Sequence, residues 1–204
     1  MINDVSRLPG RFYPLVSGVE RLEPLLGVGI RFVQLRIKSL PAPERRGQIL
    51  RARDLCRRHD CTLVVNDYWQ DAIDLQCDYV HLGQEDLADA DLSALRRHGV
   101  RIGISTHDET ELDRALACAP TYIALGPIFE TSSKTLSWAS QGIARITQWR
   151  TAIGDLPLVA IGGIGLAQAQ AVLAAGADSI AVIGDVANHE DPPARARAWL
   201  AATA

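Results

Sequence analysis

The chain lacks several things that would direct it elsewhere. Of its 204 residues only four are cysteine (Cys56, Cys61, Cys77 and Cys118), and no two form a CxxC pair. No His/Cys cluster with metal-ligand spacing accompanies them. That excludes a zinc ribbon or a thioredoxin-like motif and leaves four reduced thiols. A basic excess is also missing. Lys and Arg number 21 against 24 Asp and Glu, for a net charge of -3. Nucleic acid is therefore not an expected partner, because binding a phosphate backbone usually needs a basic face. Any positive potential has to be local. No apolar stretch approaches the roughly 20 residues of a membrane span. Met1 to Arg7 lacks the apolar centre of a signal peptide. No linker or shift of composition divides the chain. The expectation is one cytoplasmic domain over residues 1–204 with no membrane partner, and 48% hydrophobic residues suffice for a substantial core.

What is present is a rhythm. Eight short apolar runs recur: Phe12–Val16, Phe32–Ile37, Thr62–Asn66, Tyr79–Leu82, Arg101–Ser105, Tyr122–Pro127, Leu158–Ile161 and Ser179–Ile183. They are rich in Val and Ile and mostly do not alternate, as expected of strands buried on both faces in a parallel sheet. Segments of helical spacing lie between them. In Glu44–His59, apolar Ile49, Leu50, Ala52 and Leu55 oppose Arg45, Arg46, Arg51 and Arg57. Asp108 is placed to cap a helix through Ala119, with acid in its first turn. Ala167–Ala175 is Ala-rich and stops at Gly176. Gly29, Gly99 and Gly176 each stand between a helical segment and a strand, which reads as the joint of a repeated unit. Eight strands alternating with helices favour an α/β fold, a (β/α)8 TIM barrel, over an open sheet. The longest insert, roughly Ile128–Gln141, is the expected lid.

Polar clusters follow most runs, and in such a barrel they emerge on the rim that carries the active site. Ile37 between Arg36 and Lys38 sets both on one side of the strand, in line with Gln34. Such a line is costly in the interior unless it meets a ligand or other polar groups; a solvated strand end is the plainer alternative. Asp67 and Asp86 follow adjacent strands. Each could cap a helix or turn, yet together they can share Mg2+, which keeps several waters and takes its other ligands from phosphate. Glu85 is an alternative ligand. His81 reads as a packed strand residue, and His107 stays ambiguous. Gly162-Gly163 ends the seventh run, where bare backbone NH groups and a helix start would suit an anion, although a tight turn needs glycine anyway.

Six motifs carry a resemblance that no single one would: Gln34-Leu35-Arg36-Ile37-Lys38, Val65-Asn66-Asp67, His81 through Asp86, Gly103 through His107, Gly126-Pro127-Ile128-Phe129 with Thr131-Ser132-Ser133-Lys134, and Ala160 through Ile164. In this order and spacing, from about Phe12 to about Val186, they resemble the thiamine phosphate synthase family. The resemblance implies a transferase that joins 4-amino-2-methyl-5-hydroxymethylpyrimidine diphosphate to 4-methyl-5-(2-phosphoethyl)thiazole and releases diphosphate, with Mg2+. It implies that Gln34, Arg36, Lys38, Asn66, Ser105 and Lys134 hold the pyrimidine diphosphate, with Lys38, Ser105 and Lys134 nearest the chemistry. Asp67 and Asp86 would ligate the metal. Thr131, Ser132, Ser133, Gly162, Ile183 and Gly184 would hold the thiazole phosphate. Homo-oligomerisation is left open.

The reaction suits these residue types on its own terms. Loss of diphosphate leaves a cation that the aminopyrimidine ring delocalises, so leaving-group charge must be met by Lys, Arg and metal, and no nucleophile is needed. Three positions depart from the family pattern. Glu130 stands where proline is common, Ser132-Ser133 is less Thr-rich, and Gly184-Asp185 replaces a Ser followed by a small apolar residue. A carboxylate at 185 would repel a phosphate unless it turns away to cap the next helix. A thiazole-phosphate tautomerase and a non-catalytic phosphate-binding barrel are the alternatives. The first has little use for Asp67, Asp86 and Lys134; the second is reached through Asp185.

Overall fold

The Val- and Ile-rich runs become strands because both faces of each are covered. The computed structural model describes residues 8–131 and 139–204. In chain order the elements are β1 (Phe12–Val16), α1 (Val19–Leu26), β2 (Phe32–Leu35), α2 (Ala42–Arg58), β3 (Thr62–Asn66), α3 (Trp69–Asp74), β4 (Tyr79–Leu82), α4 (Leu92–Arg97), β5 (Arg101–Thr106), α5 (Glu109–Ala117), β6 (Tyr122–Leu125), α6 (Ile143–Ile153), β7 (Leu158–Ile161), α7 (Ala169–Ala174), β8 (Ser179–Val182), α8 (Gly184–Ala187) and α9 (Pro192–Ala202). Each strand pairs in parallel with the next, and β1 closes on β8 through Phe12↔Ile180 and Pro14↔Val182. This is the TIM barrel expected from the sequence.

Strand alternation sorts the side chains into two cores. Outward residues such as Val33, Leu35, Val65, Leu82, Ile104 and Leu125 pack under the helices with Leu22, Ile49, Ile146 and Trp199. Inward residues form a separate cluster that includes Tyr13, Phe32, Val64, Tyr79, Tyr122 and Val159. The lumen is thus a packed floor with aromatic rings at its centre. Tyr13 stacks on Phe32 with centroids 4.3 Å apart, and Phe32 meets the ring of Tyr79 edge-on. Gly103 makes room for this: a Cβ there would fall 2.0 Å from the Tyr122 ring.

The repeated joints are real. Gly29, Gly99 and Gly176 have φ of +92°, +73° and +114°, a region that glycine enters at no steric cost. Asp108 caps α5 by accepting from Glu111 N at 2.8 Å. Several element ends shift by one or two residues, and two of these shifts bear on the rim. The second strand ends at Leu35, two residues early, so Arg36 and Lys38 stand past its last residue, although Arg36 N still bonds Val16 O at 2.8 Å. The helix after β7 starts at Ala169, behind a 3-10 turn over Leu166–Gln168, so its first residue does not adjoin Gly162-Gly163. The expected insert after β6 lies partly outside the described residues.

Candidate active site

A cavity of about 480 Å3 opens at the C-terminal ends of the strands, within the range of ordinary small-molecule sites. Its lining gathers Gln34, Arg36, Asn66, Asp67, Ser105, Thr131, Gly162, Ile183 and Gly184, which come from six different strands or the loops after them. Lys38 is exposed beyond Arg36, and among the described residues it does not line the cavity. Ser132, Ser133 and Lys134 lie outside the described residues.

The floor is a hydrogen-bonded chain of side chains. Gln34 Nε2 donates to the Tyr13 hydroxyl, which lies 3.0 Å from the Tyr122 hydroxyl. Tyr122 Oη is 2.9 Å from His81 Nδ1, and His81 Nε2 is 2.7 Å from Ser105 Oγ. The polar line starting at Gln34 is therefore partly satisfied within the protein, and Ser105 brings the chain to the cavity wall. Burial, and then the nearby charge of Arg36, lower the His81 pKa from 6.5 to about 4, so the imidazole is neutral at physiological pH. Burial pushes the Tyr13 and Tyr122 phenols well up. The floor thus carries dipoles and rings but no net charge. His81 is the packed strand residue that the sequence suggested, and it is also part of this chain. Tyr13 and Tyr122 escaped notice as members of apolar runs. Their inward parity, shared with Gln34 and His81, was the available signal.

Negative charge is concentrated at the next two strand ends. Asp67 has φ +66°, its N bonds His81 O at 2.9 Å, and its carbonyl accepts from Trp69 N at 2.8 Å. Capping of α3 is not its role: Tyr68 occupies the cap position and no side chain bonds there. By contrast Asp91, Asp108 and Asp191 each accept an amide NH from the first turn of a helix. The Asp67 carboxyl is raised from 3.8 to about 6, first by burial and then by the charge of Asp86, with Arg36 opposing. Asp86 is itself aimed by Gly83, whose NH donates to Oδ2 at 2.9 Å.

A carboxylate whose ionised form is disfavoured by burial and by a second carboxylate beside it fits a divalent cation. Among the described residues no group of three His, Cys, Asp or Glu side chains could hold a metal. A pair is nevertheless what Mg2+ asks of a protein when substrate phosphates supply its remaining ligands.

Across the cavity the surface is backbone. Gly162 and Gly163 have φ of +98° and +65°. A Cβ on Gly162 would come within 2.6 Å of Pro127, and one on Gly163 within 2.3 Å of Glu130 O. Ile128 N bonds Ile161 O at 3.0 Å and Phe129 N bonds Gly162 O at 2.9 Å, which seats the loop after β6 on the loop after β7. Glycine is needed here both for the turn and for this approach. Asp185 lines the same wall but turns its carboxylate to Arg195 and Trp199. His107 holds Glu111 Oε2 through Nδ1 at 2.7 Å and through its backbone NH at 2.8 Å, and it too lines the cavity.

The profile of the thiamine monophosphate synthase family matches residues 15–186. The chain is 52% identical to the thiamine-phosphate synthase of Rhizobium etli over 95% of both chains, and 46% identical to that of Salmonella schwarzengrund over 98% of this chain and 93% of that one. A thiamine phosphate pyrophosphorylase structure from Pyrococcus furiosus superposes with a TM-score of 0.84 over 95% of both chains, at 27% identity.

Proposed function

The chain belongs to the thiamine monophosphate synthase family, and we propose that the two walls of its rim cavity divide the two substrates of the reaction between them. The enzyme is a transferase. It condenses the pyrimidine diphosphate with the thiazole phosphate to give thiamine phosphate and diphosphate. The observation that carries the division is the contrast already described: a charged carboxylate–arginine wall opposite a backbone wall, over a neutral aromatic floor.

On this reading the pyrimidine ring sits on the Tyr13–Gln34–Tyr122–His81–Ser105 chain, with its diphosphate toward Arg36, Asn66 and, at the rim, Lys38 and Lys134. Asp67 and Asp86 would hold Mg2+, which supplies Lewis-acid stabilisation of leaving-group oxygens. Arg36 adds a fixed positive charge at the same end. The C–O bond to the pyrimidine methylene breaks first, its electron pair leaves with the diphosphate, and the thiazole nitrogen then closes on the methylene cation. The floor suits that cation. His81 is neutral and adds no opposing charge, and the tyrosine faces favour a cation near them.

The thiazole phosphate would sit against Thr131, Ser132, Ser133, Gly162, Ile183 and Gly184, held chiefly by backbone NH groups that require no titratable partner. Positioning by the two walls supplies much of the remaining rate, up to about 7–11 kcal/mol in favourable model reactions. An isomerase acting on the thiazole phosphate alone would leave the Asp67/Asp86 pair without a task. We further propose that residues 1–204 act as one cytoplasmic domain on small molecules, without nucleic acid. Among the described residues no helix is long and apolar enough to cross a membrane. Purified protein incubated with both substrates is expected to form thiamine phosphate with Mg2+ and little after chelation. Absence of product from folded, metal-replete protein defeats the proposal.

A further inference from the structure

Asp185 is where this chain departs most from the family pattern, and the structure gives the departure a use. Its Oδ2 accepts from Arg195 Nε at 2.8 Å and from Trp199 Nε1 at 2.6 Å, and its Oδ1 accepts from Arg195 Nη2 at 2.8 Å. Both partners lie on α9. Trp199 is fully buried and stacks on Phe12 of β1, with centroids 5.4 Å apart and an interplanar angle of 7°. The residue that follows Gly184 is thereby tied through α9 to the outside of β1, the strand that pairs with β8. Partial burial would raise the Asp185 carboxyl, but the bonds from Arg195 and Trp199 overcome it and hold the group below the ordinary range. It is ionised, it lines the cavity, and its charge is matched in a two-point contact.

We propose that Asp185 is a positioning residue for the thiazole phosphate, fixing the Ile183–Gly184 turn through α9, and that Arg195 cancels the charge this carboxylate would otherwise present to the phosphate. The inference rests on the reading that this wall holds the thiazole phosphate. It assigns Arg195, which follows the matched family region, a part in substrate selection without contact to substrate. A hydroxyl in place of the carboxylate would need no such partner. A carboxylate gains a firmer anchor but needs its counter-charge.

The charge argument has a sign that a purely structural role does not. Arg195→Ala leaves the Asp185 carboxylate, still bonded to Trp199, without its counter-charge beside the phosphate wall. Asp185→Asn/Arg195→Ala removes the same arginine contacts without leaving a charge. Steady-state kinetics with each substrate varied in turn are expected to show the thiazole-phosphate KM of Arg195→Ala up about fivefold or more, from one unscreened charge at close range. The pyrimidine-diphosphate KM stays near wild type. The double variant recovers most of the loss although it lacks more contacts, and Arg195→Lys, which keeps the charge, falls between wild type and Arg195→Ala. Equal KM values for the single and double variants overturn the proposal, as does a parallel rise for both substrates. Gly184→Asp tests the underlying reading, since it places a carboxylate on the turn with no arginine to meet it. If it raises the thiazole-phosphate KM while Arg195→Ala does not, the clamp alone is wrong. If Gly184→Asp leaves that KM unchanged, the phosphate does not bind at this wall and the clamp falls with it.

Discussion

The two walls of the cavity solve different problems with different materials. One carries Arg36 and Asp67, and burial together with the charge of neighbouring Asp86 lifts Asp67 to about 6 against the pull of Arg36. The other is built from Gly162, Gly163, Ile183 and Gly184, and its Asp185 is matched by Arg195. The difference follows the proposed chemistry. On the first wall charge changes during the reaction, as a diphosphate departs with an electron pair, so stabilisation must be strong and directed at the developing charge. On the second wall the thiazole phosphate keeps its charge throughout. Binding there contributes by positioning the substrate rather than by meeting a developing charge, and fixed backbone donors suffice.

The sharpest test of this contrast is Asp67→Asn. Asparagine tolerates the left-handed conformation at φ +66°, so the fold is retained while the proposed metal site loses a ligand. Turnover is expected to drop about 1,000-fold. In thermal melts without metal at pH 7.5 the variant is expected to be more stable by about 1 kcal/mol, because the repulsion with Asp86 is gone. A Mg2+-dependent rise in melting temperature equal to that of the wild type would break the metal assignment.

Gly163→Ala probes the opposite wall. Its Cβ would come 2.3 Å from Glu130 O at φ +65°, so the loops after β6 and β7 must separate. The thiazole-phosphate KM is expected to rise about tenfold and stability to fall by about 1–3 kcal/mol. The pyrimidine-diphosphate KM should change far less, as substrate titrations by calorimetry would show. Tyr122→Phe addresses the floor that joins the walls. It removes the hydroxyl between Tyr13 and His81. A loss of about 1–2 kcal/mol in stability is expected, with a several-fold rise in the pyrimidine-diphosphate KM.

The floor and the charged wall also differ in their response to pH. His81 titrates at about 4 when folded against 6.5 in a free side chain. The unfolded chain therefore takes up the proton first as pH falls. Stability present above pH 6.5 is lost progressively toward pH 4, by about 3 kcal/mol at most. Asp67 works in the other direction: raised from 3.8 to about 6, it makes the folded chain the better proton binder between those values and relieves the carboxylate pair. Denaturant melts from pH 7 to 4 are expected to fall more steeply for Asp67→Asn than for wild type. Mg2+ binding, if the proposed site holds it through the ionised pair, is expected to weaken below pH 6.

Much of this was legible in the residues. Apolar runs of four to six, too short for helices and mostly not alternating, predict strands buried on both sides, and the glycines at 29, 99 and 176 mark the joints between units. The Asn66-Asp67 and Gln34-to-Lys38 clusters are visible because polar groups at strand ends interrupt an apolar pattern. Tyr13 and Tyr122 were not legible in the same way. A tyrosine inside an apolar run looks like core, and it is core; only closure of the barrel brings its hydroxyl within reach of a histidine 41 residues away in the chain. The cap-or-ligand ambiguity of Asp67 was likewise open in sequence, since a carboxylate after a strand and before a helix fits both.

The sequence by itself determined the fold class, the rim on which the polar residues gather and the family, because periodicity and ordered motifs are local and survive without coordinates. Tertiary structure decided how those residues are used. It freed Asp67 from capping and set it against Asp86, wired the floor from Gln34 to Ser105, and turned Asp185 onto Arg195 and Trp199. Each of those outcomes depends on charge and hydrogen bonding between groups far apart in the chain, whose distances exist only once the barrel has closed.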